Sequence, residues 1–375
     1  MKLYLDLDEI DNIPEAYQKS ATDIMRITGL NTGNFAFRHA LRHLVSDLDS
    51  YKLVNWGNAR KLIEQKVKAE KLLISCANWL GFSEADERSN LVRAKVIEDF
   101  GAPVVAFGLG AQASSVSQDL ELGPNTARLA RAISNHSEQV SVRDHFTLTL
   151  LQKAGIQNAI VTGCPSNLIN QSDDFIKNLS TQAKKSREKS LNFQKFVLGE
   201  FSGGNEHSGA VLRKTLGFMN VTNSNYLIQS PVLYPFFLRE SDEIPAPYRA
   251  NKPDGISHER LAGLLKQQVL GFSSIDSWLD FSRTCDLSFG MRIHGNMIPL
   301  QAGVPSVLIA HDSRTLGLSD SMAFPRIPLS IFLKTDLLDL PELMYTEFLE
   351  QLPLYEDKRQ HLKRVFRDYL EANNI

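Results

Sequence analysis

Short apolar runs alternate along this chain with longer stretches in which apolar residues recur every three or four positions. The first pattern suits buried strands and the second suits amphipathic helices. Residues 71–76 (KLLISC), 104–108, 159–162, 196–199, 226–230, 286–289 and 304–310 read as buried strands. Weaker runs at 1–7, 23–29, 51–56 and 139–142 read as edge or short strands. Phe35, Phe37, Leu41, Leu44, Val45 and Leu48 fall at helical spacing, and helices are further predicted over 59–68, 91–100, 125–135, 146–153, 210–220, 258–268, 274–282, 295–301 and 355–372. Strand and helix alternate through both halves, so the expected class is α/β with parallel sheets. A chain of 375 residues exceeds one ordinary core. The expected division is a Rossmann-like domain over 1–170 and a second over 190–345, with a final helix, 346–375, packing back on the first. The polar, lysine-rich stretch 166–194 reads as a linker with one solvated helix.

Polar residues cluster where these strands end, which is where open parallel sheets bind ligands. The fullest case is 285–314, CDLSFGMRIHGNMIPLQAGVPSVLIAHDSR. It reads strand, turn, short helix, strand, with Arg292 and His294 in the turn. Residues two apart in an extended turn project to one side, and the N-terminus of the following helix attracts anions. Pro299 is expected in that helix's first turn. The ordinary reading is a capped helix with a surface Arg and a hydrogen-bonded His. His311, Asp312, Ser313 and Arg314 leave the next strand end, and two polar strand ends in one unit favour a binding site. Residues 30–34 (LNTGN) form a Gly/Asn turn in which Asn34 is the expected N-cap; the turn reads either as an ordinary βα turn or as a backbone cradle built by Asn31, Gly33 and Asn34. Gly110 and Gln112 lie in a glycine-rich loop after residues 104–108. Arg143 follows the short strand 139–142; it reads equally as an anion ligand or as an ion pair with Asp144 or a helix cap, and Asp144 is the expected cap. No G-x-G-x-x-G or P-loop lysine is present, so neither a dinucleotide nor an ATP site is expected.

Composition narrows the picture. Apolar residues make up 43% and charged residues 22%, with a net charge of −2. These are values of a globular protein without a field that attracts nucleic acid. The three cysteines, Cys76, Cys164 and Cys285, lie far apart and have no metal-ligand spacing, so reduced buried thiols are expected. The first residues, MKLYLDLDEID, lack the basic and apolar regions of a signal peptide. No run approaches the roughly 20 apolar residues of a membrane span. The expected location is the cytoplasm, with a peripheral position at the inner face of a membrane left open.

The motif Arg292-Ile293-His294, the turn Gly303-Val304-Pro305 and the tail 311–314 resemble the polysaccharide pyruvyl transferase family in order and spacing. So do Ser141-Val142-Arg143-Asp144 with its following helix and the Gly163-Cys164-Pro165 turn. Three positions depart from the family pattern: Asn34 and Cys164 each replace an Asp, and Arg314 replaces a Lys. The resemblance implies two Rossmann-like domains in a glycosyltransferase-B-like arrangement, with the active site in the cleft between them. It implies transfer of a pyruvyl group from phosphoenolpyruvate to a pair of sugar hydroxyls, forming a ketal in polysaccharide or exopolysaccharide biosynthesis. Phosphoenolpyruvate is then the donor substrate, the acceptor is a sugar that can be lipid-linked, and no cofactor or metal is required. His294, as a general acid titrating near neutrality, and Arg292 are the expected catalytic residues. Arg143, Arg314, Asn31, Gly33, Asn34, Gly110, Gln112 and Asp312 are the expected substrate ligands. Two rival readings use the same architecture: a glycosyltransferase consuming a nucleotide sugar, and a sugar-binding protein without catalysis.

Overall fold

The computed structural model describes residues 1–111, 120–201, 207–311 and 313–375, the side chains of 313–315 excepted. In the first lobe, β1 (Lys2–Asp6), β2 (Lys52–Asn55), β3 (Lys71–Ser75) and β4 (Val104–Phe107) form a parallel sheet in the order β2-β1-β3-β4. A second pair, β5 (Val140–Val142) with β6 (Ala159–Val161), continues it through a single parallel bridge between Leu109 and Val142. The second lobe holds β7 (Phe196–Gly199), β8 (Ser224–Leu227), β9 (Val269–Leu270), β10 (Leu287–Gly290), β11 (Ser306–Ala310) and β12 (Arg326–Pro328). Their order is β12-β11-β10-β7-β8-β9, all parallel. Counted from β7 this is 3-2-1-4-5-6 in reverse, the Rossmann order. The chain is therefore α/β with two Rossmann-like lobes in a glycosyltransferase-B-like arrangement. Strand order reverses between β7 and β10 in the second lobe and between β1 and β3 in the first. Those are the places where an open parallel sheet leaves a crevice at its carboxyl edge.

Several expectations fail for local reasons. Residues 23–29 are not a strand. Ala21–Thr28 is a helix, because Ser20 caps it by accepting from the Asp23 amide at 3.1 Å and Gly29 ends it at φ 66°. This helix packs into the core of the second lobe, as do Ile13 and Phe35–Phe37. Backbone bonds carry the same crossing: the Ile13 amide donates to Ser273 O at 2.8 Å and the Ile275 amide to Asp11 O at 3.0 Å. The segment 11–30 thus sits on the second lobe although it lies early in the chain. The helix Phe175–Arg187 is not solvated all round; it buries Phe175, Ile176, Leu179 and Ala183. The final helix runs from Leu340 to Ala372, starting well before 355, with Pro353 inside it. Its Tyr369 hydroxyl donates to Ala106 O on β4 at 2.7 Å, and Phe366 stacks on Phe107 with ring centroids 5.9 Å apart.

Candidate active site

The crevice at the second lobe's switch point starts from two glycines. Gly199 ends β7 and Gly290 ends β10, and the two are register partners. A Cβ on Gly290 would lie 2.6 Å from Gly199 Cα, so no larger residue lets the strands approach this closely. Beyond them the strands diverge and carry Glu200 and Arg292 across the gap. Arg292 is the N-cap of the helix Ile293–Gln301, with extended backbone (φ −95°, ψ 125°). Asn296 locks this turn: its Nδ2 donates to Gly290 O at 3.1 Å and to Arg292 O at 3.0 Å, while Ser288 Oγ donates to its Oδ1 at 3.2 Å. The helix begins two residues earlier than expected, so His294 lies in its first turn and Pro299 in its interior rather than its start.

Glu200 is 1% exposed. It accepts from the amides of Gln229 (3.0 Å) and Ser230 (2.9 Å) and from Ser230 Oγ (2.7 Å). Burial pushes its carboxyl above the ordinary value, opposed chiefly by the Arg292 guanidinium, whose Nε lies 3.0 Å from Oε2. That Nε–H is not aligned for a hydrogen bond and has no acceptor among the described residues. Arg292 keeps a quarter of its side chain exposed to the cleft.

The first lobe supplies the opposite wall. Arg143 follows β5 and is 5% exposed. Its Nη2 donates to Cys76 O at 3.1 Å, its Nη1 to Asn78 Oδ1 at 3.3 Å, and its guanidinium carbon lies 5.0 Å from the Phe37 ring centre. Its Nε–H, like that of Arg292, is buried without an acceptor. Gly110 is placed behind it; a Cβ there would meet Arg143 Cδ and Asn78 Oδ1 at 3.1 Å. Asp144 caps the next helix by accepting from the Thr147 amide at 2.7 Å, which leaves Arg143 to the cleft. Asn31 accepts from the Gly33 amide at 2.9 Å and from Gln229 Nε2 at 3.3 Å. Gly33, not Asn34, is the N-cap of Asn34–Leu44. Asn34 turns back instead, and its Nδ2 donates to Thr28 O at 3.0 Å and Gly29 O at 3.3 Å, tying off the preceding helix. A Cβ on Gly33 would collide with the Gln229 amide and stand 3.0 Å from His294 Cβ. Two helix N-termini, one from each lobe, therefore meet at this point.

Asn31, Asn34, Asn78, Arg143, Gln229, Arg292 and His294 line one cleft between the lobes, with Ala77, Met291, Ile293 and Leu318 as its apolar lining. His294 is 6% exposed. Its Nε2 lies 3.5 Å from Cys164 Sγ, and its ring is 5.9 Å from that of Phe37. The expectation of an imidazole titrating near neutrality fails here. Burial, with the charge of Arg143 added, drives His294 down to about 3. Cys164, 1% exposed, also sits 3.1 Å from Ser166 Oγ. His311 follows β11 with Nδ1 3.4 Å from Ile309 O and does not line the cleft. Gln112, Asp312 and the Arg314 side chain lie outside the described residues. Glu200, Gln229 and Asn296 were not foreseen. Each stands one to three residues past the end of a strand or inside the helix start, and only the strand order reveals that they share one crevice. Among the described residues, no group of three His, Cys, Asp or Glu side chains is placed to hold a metal ion, and no helix is long and apolar enough to cross a membrane.

Two guanidiniums and two helix N-termini line this cleft, and the buried carboxylate beside it, Glu200, is matched by Arg292, an arrangement that suits an anion. The family model for polysaccharide pyruvyl transferase matches residues 31–313 of the chain. Among solved structures, the chain is similar to Anabaena HepE in complex with UDP and glucose, at 12% identity over 99% of both chains with a TM-score of 0.47. It is also similar to a putative UDP-N-acetylglucosamine 2-epimerase from Listeria monocytogenes, at 11% identity over 93% of this chain and 91% of that one, TM-score 0.46. A third is the UDP-GlcNAc 2-epimerase from Neisseria meningitidis bound to UDP-GlcNAc, at 13% identity over 93% and 94%, TM-score 0.43. A search of curated protein sequences finds no match.

Proposed function

The chain belongs to the polysaccharide pyruvyl transferase family, and from that premise we propose that it moves the pyruvyl group of phosphoenolpyruvate onto two hydroxyls of one sugar, forming a cyclic ketal. The observation that carries this reading is the convergence of Arg143 and Arg292 on one inter-lobe cleft. The donor has a carboxylate and a phosphate on a three-carbon frame. Guanidinium groups match both anions. Arg292 and Arg143 are the donor ligands in this reading, with the amides at the start of Ile293–Gln301 adding partial positive charge.

The reaction balances without an added redox partner. One sugar hydroxyl attacks the enol carbon, and the proton it loses ends on the methylene carbon. The second hydroxyl attacks the same carbon, the bond to the phosphate oxygen breaks, and the remaining proton leaves with phosphate. In this reading His294 serves these transfers. It is neutral in the free cleft, so it acts first by polarising, through a hydrogen bond to the donor's oxygen. The charge of the bound donor offsets Arg143 and lets the ring take up a proton as the reaction proceeds. Gln229, Asn31 and Asn78 supply neutral hydrogen-bonding groups suited to sugar hydroxyls.

The test is to incubate the protein with phosphoenolpyruvate and a panel of free, nucleotide-linked and lipid-linked sugars. The reading expects an acceptor heavier by one pyruvic acid less one water, with phosphate released in equal amount. Phosphate release without a heavier acceptor, or transfer of a sugar from a nucleotide sugar in the same panel, would overturn it.

A further inference from the structure

Cys164 and His294 come from different lobes and meet in the interior, the sulfur 3.5 Å from Nε2. On its other side the sulfur contacts Ser166 Oγ at 3.1 Å, and Ser166 is fully buried. Three polar groups in a row share the available protons, and their order can be deduced. A buried hydroxyl proton without an acceptor is costly, more so than a weakly polar thiol without one. If Cys164 donated to Ser166, the serine proton would have no acceptor among its contacts. If Ser166 donates to the sulfur, the thiol proton is free to donate to Nε2, and every donor in the row is satisfied. In that arrangement Nε2 carries a lone pair, and the ring proton sits on Nδ1. Since Nε2 is taken and the ring lines the cleft, Nδ1 is the nitrogen left for a ligand.

We propose that Cys164 is a positioning residue for His294: with Ser166 behind it, the thiol holds the ring as the neutral tautomer that donates from Nδ1 into the cleft. The charged and titratable side chains around the ring agree with this. Arg143 on the first lobe opposes a positive charge on the ring, and the carboxylate of Glu200 is matched by Arg292. A carboxylate at 164 would do the reverse, accepting from Nε2–H and stabilising the imidazolium. The thiol therefore holds the free ring as a neutral hydrogen-bond donor rather than as a resting imidazolium. A neutral imidazole polarising a substrate oxygen is an established mode of catalysis. The role of this tautomer toward the donor rests on the transferase reading; the tautomer itself does not.

The experiment uses the whole ligand-free chain with ring-labelled histidine, and His294 signals are identified by their loss in His294→Asn. Long-range proton–nitrogen correlation at pH 7 is expected to show a protonated Nδ1 and a bare Nε2. Cys164→Ser keeps that pattern, and Cys164→Ala loses the preference. Cys164→Asp shifts the ring's titration upward by more than about two pH units, since a carboxylate partner stabilises the charged form. In turnover, Cys164→Asp moves the acid limb of the pH profile and lowers kcat more than it raises KM. A protonated Nε2 in the native chain, or a Cys164→Ala ring unchanged in tautomer, overturns the proposal. Should Cys164→Asp fail to fold, the native tautomer and the alanine variant still decide. A native Nδ1–H ring in a chain that transfers no pyruvyl group would leave the tautomer standing and remove the transferase reading instead.

Discussion

Replacing Arg292 by Met removes the only cation paired with Glu200 among the described contacts while keeping much of the side chain's volume. Glu200 is 1% exposed and retains three hydrogen bonds, from the amides of Gln229 and Ser230 and from Ser230 Oγ. Removing one partner of a buried ion pair costs about 3–5 kcal/mol. Arg292 is a quarter exposed, and the three remaining bonds soften the loss, so about 2–3 kcal/mol is the expected penalty at pH 8. The pH dependence has a definite sign. Burial already holds the Glu200 carboxyl above its unfolded value, with Arg292 the main opposing influence. Without Arg292 it rises further, so the folded chain binds a proton in a window where the unfolded chain does not. Stability then falls as pH rises through that window and recovers toward pH 5. Urea unfolding followed by the fluorescence of Trp56, Trp79 and Trp278 at pH 8 and pH 5 measures this directly. Adding Glu200→Gln to Arg292→Met is expected to restore most of the stability at pH 8 without restoring donor binding. An Arg292→Met chain as stable as the native one at pH 8, or a double variant no better than the single, would refute the argument.

Three further expectations follow from the same geometry. His294 is held at about 3, against an unfolded value near 6.5, so the unfolded chain binds the extra proton between those pH values and stability is lost as pH falls below about 6.5. At pH 5 this residue should account for about 2 kcal/mol of lost stability relative to pH 8, and His294→Asn should remove that part of the slope in urea unfolding. Arg143→Met should raise the His294 titration seen by NMR, yet leave it below 6.5, because burial is the larger cause and Arg143 the smaller. Gly290→Ala should lower stability by more than about 1 kcal/mol, since its Cβ has only the Gly199 backbone to meet; calorimetric unfolding checks it.

Arg292, His294 and Arg143 were readable because each follows an apolar run, a weak one for Arg143, and precedes a helix, and strand ends in parallel sheets are where ligands gather. The alternation of short runs and helical spacing likewise indicated two parallel α/β halves. Strand order was not readable. It depends on which runs pair in space, and it is what brings Glu200 after β7 beside Arg292 after β10. The run 23–29 misled because three apolar residues close together suit a strand as well as a helix; Ser20 and Gly29, the two caps, were the deciding signals. Asn34 has the chemistry of an N-cap, but the helix already starts after Gly33, and the Asn34 side chain closes the preceding helix instead. The expected neutral-range titration of His294 ignored burial and a nearby guanidinium, neither of which a local motif encodes.

The most direct measurement is titration calorimetry of the native chain and Arg292→Lys with phosphoenolpyruvate and, separately, with UDP. A lysine keeps the charge but not the fork of donors, so phosphoenolpyruvate should bind the native chain and bind Arg292→Lys at least tenfold more weakly, with UDP heat absent from both. UDP binding to a chain that ignores phosphoenolpyruvate would contradict the assignment of this cleft to a three-carbon, doubly anionic donor.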